Sequence, residues 1–404
     1  MYSEIKNGGV TSAKGYKAAG VACGIKDGIK RDFAMVVSEK TANAAGVFTR
    51  NVVKGHSLQL TLKNLRATGK ADAVVVNSGC ANACVGADGD EAALKVVEYA
   101  AKKLNTKPEN IIINSTGVIG KVLDWKAAVH GVDLAFDALS VEGGTDAEAA
   151  IMTTDTVKKE YAVSFELNGK TINIGGMAKG SGMIHPNMGT MISVITTDAA
   201  VSSDILQRAL RETADCTYNR VSVDGDTSVC DMTVIMANGL AGNDEISDWD
   251  SPERELFSEM LKVVCEYLAR MLAKDGEGAT KLMEVKVVNA ENKEQAYTIA
   301  CAIAKSPLVK TAMFGEDANW GRILTAAGYS GAEFNPDTVD VYIGDVMTCK
   351  NGCALDFDED AALVVLKKNE VVITVDMKAG DAWDRMWSCD FSYDYVKING
   401  SYRT

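Results

Sequence analysis

Three successive segments restrict what this chain can fold into. "ADAVVVNSG" (71–79) is a β-branched run closed by a turn. "EAALKVVEYAAKKL" (91–104) carries apolar residues at helical spacing, and "NIIINSTGVIG" (110–120) returns to a strand. Strand, helix and strand in that order bury their apolar faces only against one another, which predicts an α/β layer structure. "YAVSFELNGKTINIGG" (161–176) adds two alternating runs joined by Asn168-Gly169, a hairpin signal because both residues accept positive φ. "TMISVITTD" (190–198) reads as a strand leaving a glycine-rich loop, a helix follows at about 202–215, and "RVSVDGDTSVCDMTVIMANG" (220–239) reads as strand, loop, strand. Ser251-Pro252 opens a long helix whose apolar face is Leu256, Met260, Val264, Leu268 and Met271, and the pattern gives way at "KDGEGATK" (274–281). Strands near 283–290, 337–344, 362–366 and 370–376 predict a second, C-terminal α/β domain from about residue 282.

A chain of 404 residues exceeds the size at which one hydrophobic core usually stops growing, so two domains are expected. Its formal net charge of −13 argues against a nucleic-acid partner, which would need clustered Lys and Arg. A single lysine in a pocket still suffices to hold the carboxylate of a small molecule. The first twenty residues lack the apolar core of a signal peptide and no run of 18 apolar residues occurs, so a cytoplasmic protein without membrane association is expected. In that compartment the ten cysteines are read as small hydrophobes. Cys80 with Cys84 and Cys349 with Cys353 share a spacing but lie far apart. With His56, His130 and His185 the only histidines, no metal centre is expected.

"KGSGMIHPNMGTM" (179–191) places Thr190 directly after Gly189, where the strand begins. A threonine hydroxyl needs a neighbouring base to act as a nucleophile. Cleavage between Gly189 and Thr190 would supply one, an α-amine of pKa about 7.7 to 8.0 adjacent to the same residue's hydroxyl. A glycine before the threonine suits that cut, since it tolerates strained dihedrals and leaves its carbonyl open to attack. On spacing alone, a Gly-Thr pair at a strand start is usually an ordinary turn.

That stretch, with "VVNSGCANAC", "NSTGVIG", "MTTDT", "SVDGDTSVCDM", "DANWGRILTAAGYSG" and the terminal "INGSYRT", closely resembles the ornithine acetyltransferase family, also called the bifunctional glutamate N-acetyltransferase family of arginine biosynthesis. The resemblance runs from residue 9 to the last residue. It implies a two-domain, self-cleaving N-terminal-threonine acyltransferase fold, cut between Gly189 and Thr190. The fragments 1–189 and 190–404 would stay associated, two of each forming a heterotetramer. Thr190 would take acetyl from N2-acetylornithine as an ester and pass it to glutamate. The Thr116 hydroxyl and Gly117 backbone N–H would form the oxyanion hole. Substrate contacts fall on Thr153, Lys179, Thr190, Glu277, Asn399 and Thr404, with Lys179 suited to a carboxylate and Glu277 to the ammonium of ornithine.

No cofactor is implied, and acetyl-CoA as a second acetyl donor is left open. The glycines of "GGMAKGSG" lack the setting of a phosphate loop, so such a donor would have to bind by other means. Departures from the family pattern are Gly189 where alanine is usual, Cys80 and Cys230 where asparagine is frequent, and His185 in place of an apolar residue, read as a neutral loop residue. Two further readings stand beside the transferase: an N-terminal-threonine amidase or aminopeptidase, with water as acceptor, and an uncleaved amino-acid-binding protein.

Overall fold

The computed structural model describes residues 2–185 and 191–401. Its larger sheet has nine strands. Eight follow the order Tyr2–Glu4, Glu160–Leu167, Lys170–Lys179, Ile192–Thr197, Met232–Ala237, Phe33–Phe48, Lys70–Cys80 and Ile111–Val118, and Tyr16–Val21 pairs with the Phe33–Phe48 strand. Most neighbours are antiparallel. The pairs Ile192–Thr197 with Met232–Ala237, and Lys70–Cys80 with Ile111–Val118, are parallel.

The sixteen-residue Phe33–Phe48 strand organises this sheet. Its first half pairs with Tyr16–Val21 and Lys70–Cys80, and its second half with Met232–Ala237, with an irregular register between Val37 and Ala42. The sheet therefore folds over on itself. Val36, Val74, Met177, Val194 and Val234 meet in one inner cluster. The alternate residues face outward: Ile195 and Ile235 pack under the helices Ser203–Cys216 and Pro252–Lys274, and Val75 and Ile113 under Ala87–Leu104 and Trp125–Ala138. The result is a helix, sheet, sheet, helix stack, with strand alternation assigning every second side chain to each core.

A smaller, seven-stranded sheet runs Cys353–Ala354, Val346–Lys350, Asp340–Ile343, Glu370–Asp376, Leu282–Ala290, Ala382–Cys389 and Val221–Ser222. Met283, Val285 and Val287 bury one face of it under the helices Lys293–Lys305, Pro307–Phe314 and Trp320–Gly328. The two-residue Val221–Ser222 strand comes from the first part of the chain, and Trp387 and Cys389 belong to the core of the larger sheet, so the two sheets are bound into one body.

Most expected elements appear. Asn168 and Gly169 take φ of 48° and 76° at the hairpin. The Ser251 side chain accepts a hydrogen bond from the Arg254 backbone N–H at the start of the long helix, and Met260, Val264 and Leu268 are buried on its inner face while Leu256 and Met271 are half-buried. The expected strand at 362–366 is instead the end of a helix, Glu359–Leu366. The Asp358 carboxylate accepts from the Ala361 N–H, and Glu359 and Asp360 favour the first turn. The apolar run has a helical pattern of burial, with Ala362 and Leu366 inside and Val364 at the surface. The strand expected in "NIIINSTGVIG" runs from Ile111 to Val118, with a shift of register opposite Gly79 and Cys80.

Candidate active site

A cavity of 120 Å3 brings together residues remote in sequence. Thr116 and Gly117 come from the strand Ile111–Val118, Thr153 from the turn after the helix Gly144–Ile151, and Glu277 from the segment after the long helix. Asn399 lies on the C-terminal helix Tyr393–Ser401, and Ser228, Val229 and Cys230 on the loop before the strand Met232–Ala237.

Local backbone geometry fixes the Thr116–Gly117 wall. Gly117 has φ of +130°, and a Cβ there would lie 2.5 Å from the Gly79 carbonyl carbon, so no other residue fits at that place. Thr116, almost fully buried, thus sits beside an unhindered backbone N–H. Opposite, the Glu277 carboxylate accepts a hydrogen bond of 2.8 Å from Asn399 Nδ2, and its backbone N–H donates to the Ser181 carbonyl. Gly182 is pressed onto it, where a Cβ would fall 2.4 Å from Glu277 Cδ. Both Glu277 and Asn399 therefore reach one place, Asn399 because the last described helix folds back over the site.

Lys179 lies behind this surface. It is almost fully buried, its Nζ donates to Thr153 Oγ1 at 2.9 Å, and Asp155 Oδ2 is 3.8 Å away. Lys179 reaches the cavity through the Thr153 hydroxyl. Thr190, Gly189 and Thr404 lie outside the described residues. So do the bond expected to be cut and any contact made by the last three residues.

Behind Lys179 is a buried ionic network that the sequence reading did not find. Lys159 Nζ donates to Asp155 Oδ1 at 2.8 Å and to Asp275 Oδ2 at 2.5 Å, with all three side chains at 4% exposure or less. Burial alone would drive the proton off Lys159, but the carboxylates of Asp155 and Asp275 more than offset this and its pKa lies above the usual value. Burial likewise raises the Asp155 carboxyl, and the charges of Lys179 and Lys159 overcome that and hold it below the carboxylate range. Asp155 also accepts from the backbone N–H of Thr153 and Gly180, and Asp275 from those of Thr156 and Val157. Lys26 joins the same corner, its Nζ donating to the Met152 carbonyl at 2.6 Å. Burial, and secondarily the charge of Lys179 among its neighbours, push it down to about 8 although Asp32 opposes the change.

Two further carboxylates border the site. Asp224 accepts from the backbone N–H of Met183 (2.6 Å) and Ile184 (3.0 Å), and burial pushes its carboxyl up to about 6. Asp231 Oδ1 accepts from the Met191 N–H at 3.1 Å, its Oδ2 has no hydrogen-bond partner among the described residues, and full burial raises its pKa well above the usual range. His185 Nδ1 meets Ser222 Oγ at 3.3 Å. Burial, and then the charge of Lys305, push His185 down to about 4, so it is neutral at pH 7. Asp224 and Asp231 both stand in "SVDGDTSVCDM", and the concentration of carboxylates in a loop was the available signal for them. Of the cysteine pairs, Cys80 ends a strand of the larger sheet and Cys349 lies in the smaller one, and all ten cysteines are free thiols.

A hydroxyl and a backbone N–H on one side and a carboxylate and an amide on the other line one small cavity on a layered α/β fold. The model of the ArgJ family matches residues 17–404, and the chain belongs to that family. It is 50% identical over 405 residues to the arginine biosynthesis bifunctional protein ArgJ of Caldanaerobacter subterraneus subsp. tengcongensis, covering 99% of this chain and 100% of that one. The protein of the same name from Symbiobacterium thermophilum is 50% identical over 399 residues, covering 98% and 99%. Among solved structures, the arginine biosynthesis bifunctional protein ArgJ of Bacillus halodurans is 45% identical with a TM-score of 0.50, the match covering 51% of this chain and 97% of that one. No described helix is long and apolar enough to cross a membrane.

Removing the ammonium of Lys159 leaves the buried Asp275 carboxylate without a cation and Asp155 with only Lys179, 3.8 Å away. Lys159→Met is expected to lose about 3 to 5 kcal/mol of stability, measured by thermal or denaturant unfolding beside Lys63→Met, an exposed control expected to change it by about 0.5 kcal/mol or less.

Proposed function

We propose that the chain moves an acetyl group from N2-acetylornithine to glutamate through an ester on Thr190, after the bond between Gly189 and Thr190 has been broken. The observation that carries this reading is the single cavity in which Thr116 and Gly117 face Glu277 and Asn399. Near-complete identity in length with bifunctional arginine-biosynthesis proteins supports the class of reaction. Cleavage is supported by the Bacillus halodurans structure, which is almost wholly matched by half of this chain.

The chemistry follows from the groups available. In the precursor, Thr190 Oγ attacks the Gly189 carbonyl, the amide nitrogen leaves as the α-amine of Thr190, and water hydrolyses the ester so formed. In the mature enzyme that amine takes the proton from Oγ as the oxygen attacks the acetyl carbonyl of acetylornithine. The developing oxyanion receives hydrogen bonds from the Thr116 hydroxyl and the Gly117 N–H. The tetrahedral intermediate collapses, the C–N bond breaks, and ornithine leaves with the proton on its nitrogen. The α-amine of glutamate then attacks the acetyl-threonine ester, giving N-acetylglutamate and restoring Oγ–H. Glu277 and Asp224 supply negative charge for the ammonium of the donor, and Thr153, backed by Lys179, takes a carboxylate. Two copies of each fragment would form the assembly, and the cytoplasm is the proposed location.

Thr190→Ala is expected to remain one chain of 43.0 kDa by intact mass and to transfer no acetyl group. In Thr116→Val, kcat should fall by about 10²–10³ with KM little changed, as for loss of one oxyanion donor. Initial rates with and without glutamate separate transfer from hydrolysis, since release of ornithine at full rate without an acceptor would contradict the transferase reading.

Asp224 gives the site a pH dependence. Its carboxyl is neutral below about pH 6 and negative above. The KM for acetylornithine should therefore fall as pH rises through about 6, and Asp224→Asn should flatten that profile. A wild-type KM that rises over the same interval would place the ammonium elsewhere.

A further inference from the structure

Donor and acceptor in the proposed reaction share an α-amino-acid head and differ in the charge at the far end, an ammonium in acetylornithine and a carboxylate in glutamate. Glu277 and Asp224, both on the cavity wall, suit the first and repel the second. The side-chain carboxylate of glutamate therefore needs a cation that the donor does not use.

Three lysines gather around the turn that carries Thr153, and two are committed. Lys159 is locked between Asp155 and Asp275, and Lys179 donates to Thr153 Oγ1 with Asp155 at 3.8 Å. The third, Lys26, is half-buried and has no carboxylate within ion-pair distance among the described residues. Its Nζ donates to the carbonyl of Met152, the residue before Thr153, at 2.6 Å, and to that of Arg31 at 3.3 Å. One N–H of the ammonium is left for a ligand. Lys26 and Lys179 thus approach neighbouring positions of one turn, and the charge of Lys179 is felt at Lys26.

The fold builds this placement. Lys26 lies in the segment between the strands Tyr16–Val21 and Phe33–Phe48. The fully buried Asp32 carboxylate accepts from the backbone N–H groups of Cys23 (2.7 Å), Gly24 (3.1 Å) and Lys26 (2.8 Å), which fixes the path of that segment. The Asp32 carbonyl accepts from the Ser78 N–H, tying the segment to the strand end that pairs with Thr116 and Gly117. The lysine side chain then crosses Gly79, where a Cβ would lie 2.8 Å from Lys26 Cγ. Gly79 is also the residue against which Gly117 packs. A solvated surface lysine needs neither a buried carboxylate holding its backbone nor a glycine beneath its side chain.

We propose that Lys26 binds the side-chain carboxylate of the acceptor, while Thr153 and Lys179 keep the α-carboxylate, and that Lys26 thereby sets the preference for glutamate. The inference rests on the acetyl-transfer reading and deepens it. Acetylornithine has no second carboxylate, so its binding does not draw on this lysine. Asp32 and Lys30 on its own segment, and Lys179 and Asp155 from across the corner, are the charged groups around it. Burial is the largest influence and brings its amine down to about 8, so the cation is present at pH 7 and is lost as pH rises through about 8.

The test uses the whole cleaved enzyme with Lys26→Met, Lys26→Arg and Lys30→Met, the last removing the same charge from an exposed position on the same segment. Steady-state exchange gives the KM for glutamate and for acetylornithine. Glutamine, equal in length but with an uncharged amide, is measured alongside as acceptor and as competitive inhibitor against glutamate. Lys26→Met is expected to raise the KM for glutamate by about tenfold or more. The KM for acetylornithine and the constants for glutamine should change by about twofold or less, and Lys26→Arg should recover part of the loss. Lys30→Met should behave as the wild type. The wild-type preference for glutamate over glutamine should fall as pH rises through about 8, and the profile of Lys26→Met should be flat. That wild-type profile needs no variant, so a Lys26→Met chain that fails to fold does not remove the test. An unchanged KM for glutamate in Lys26→Met would overturn the proposal. So would an equal rise in both KM values, which would make Lys26 a strut of the turn at Met152, or an equal effect of Lys30→Met, which would make the influence one of diffuse charge. A wild type that exchanges acetyl with any of these results leaves the proposed function standing. Absence of exchange in the wild type would sink both.

Discussion

The ammonium of Lys159, buried between Asp155 and Asp275, is the contact on which the site depends. A buried cation between two carboxylates is costly to assemble, and its justification lies in what it aligns. Asp155 holds the turn carrying Thr153 and the backbone of Gly180. Asp275 holds Thr156, while its own carbonyl accepts from Ser181 Oγ two residues before Glu277. The segment 180–181, the turn that presents Thr153 and the segment that presents Glu277 are thus pinned to one charge. The conformations of three connections that would otherwise be surface loops are set by hydrogen bonds to two carboxylates.

The large sheet supplies the opposite wall. Thr116 and Gly117 are fixed by pairing with Ser78 and Gly79, and the close approach of the two backbones there requires a glycine. Asn114 Nδ2 donates to the Cys230 carbonyl at 2.8 Å, which ties this wall to the loop 227–231. The parallel strand that begins after Thr190 is registered against Met232–Ala237, and Asp231, the residue before that partner strand, takes the Met191 N–H. Whatever Thr190 does, the backbone immediately after it is anchored to a buried carboxylate.

Much of the layered fold is legible in the sequence, because strands such as 70–80 and 282–290 carry clustered or alternating valines and the helix Pro252–Lys274 carries its own cap and apolar stripe. The run at 362–366 misled for a physical reason: five apolar residues fit a strand and a helix alike, and the Asp358 cap decides between them. The residues Thr116, Gly117, Thr153, Glu277 and Asn399 were reached through family resemblance, since nothing in their local spacing announces them. Lys159 and Asp275 were not reached at all, because a pair separated by more than a hundred residues leaves no periodic trace.

The account requires that acetyl be carried by the residue that begins the second fragment. The direct measurement is to treat the enzyme with acetyl donor and no glutamate, quench in acid, and map the acetyl group by peptide mass spectrometry. The prediction is one acetyl group on a peptide whose first residue is Thr190. Acetyl found on any other residue, or on a peptide still joined through Gly189 in fully active enzyme, would contradict it.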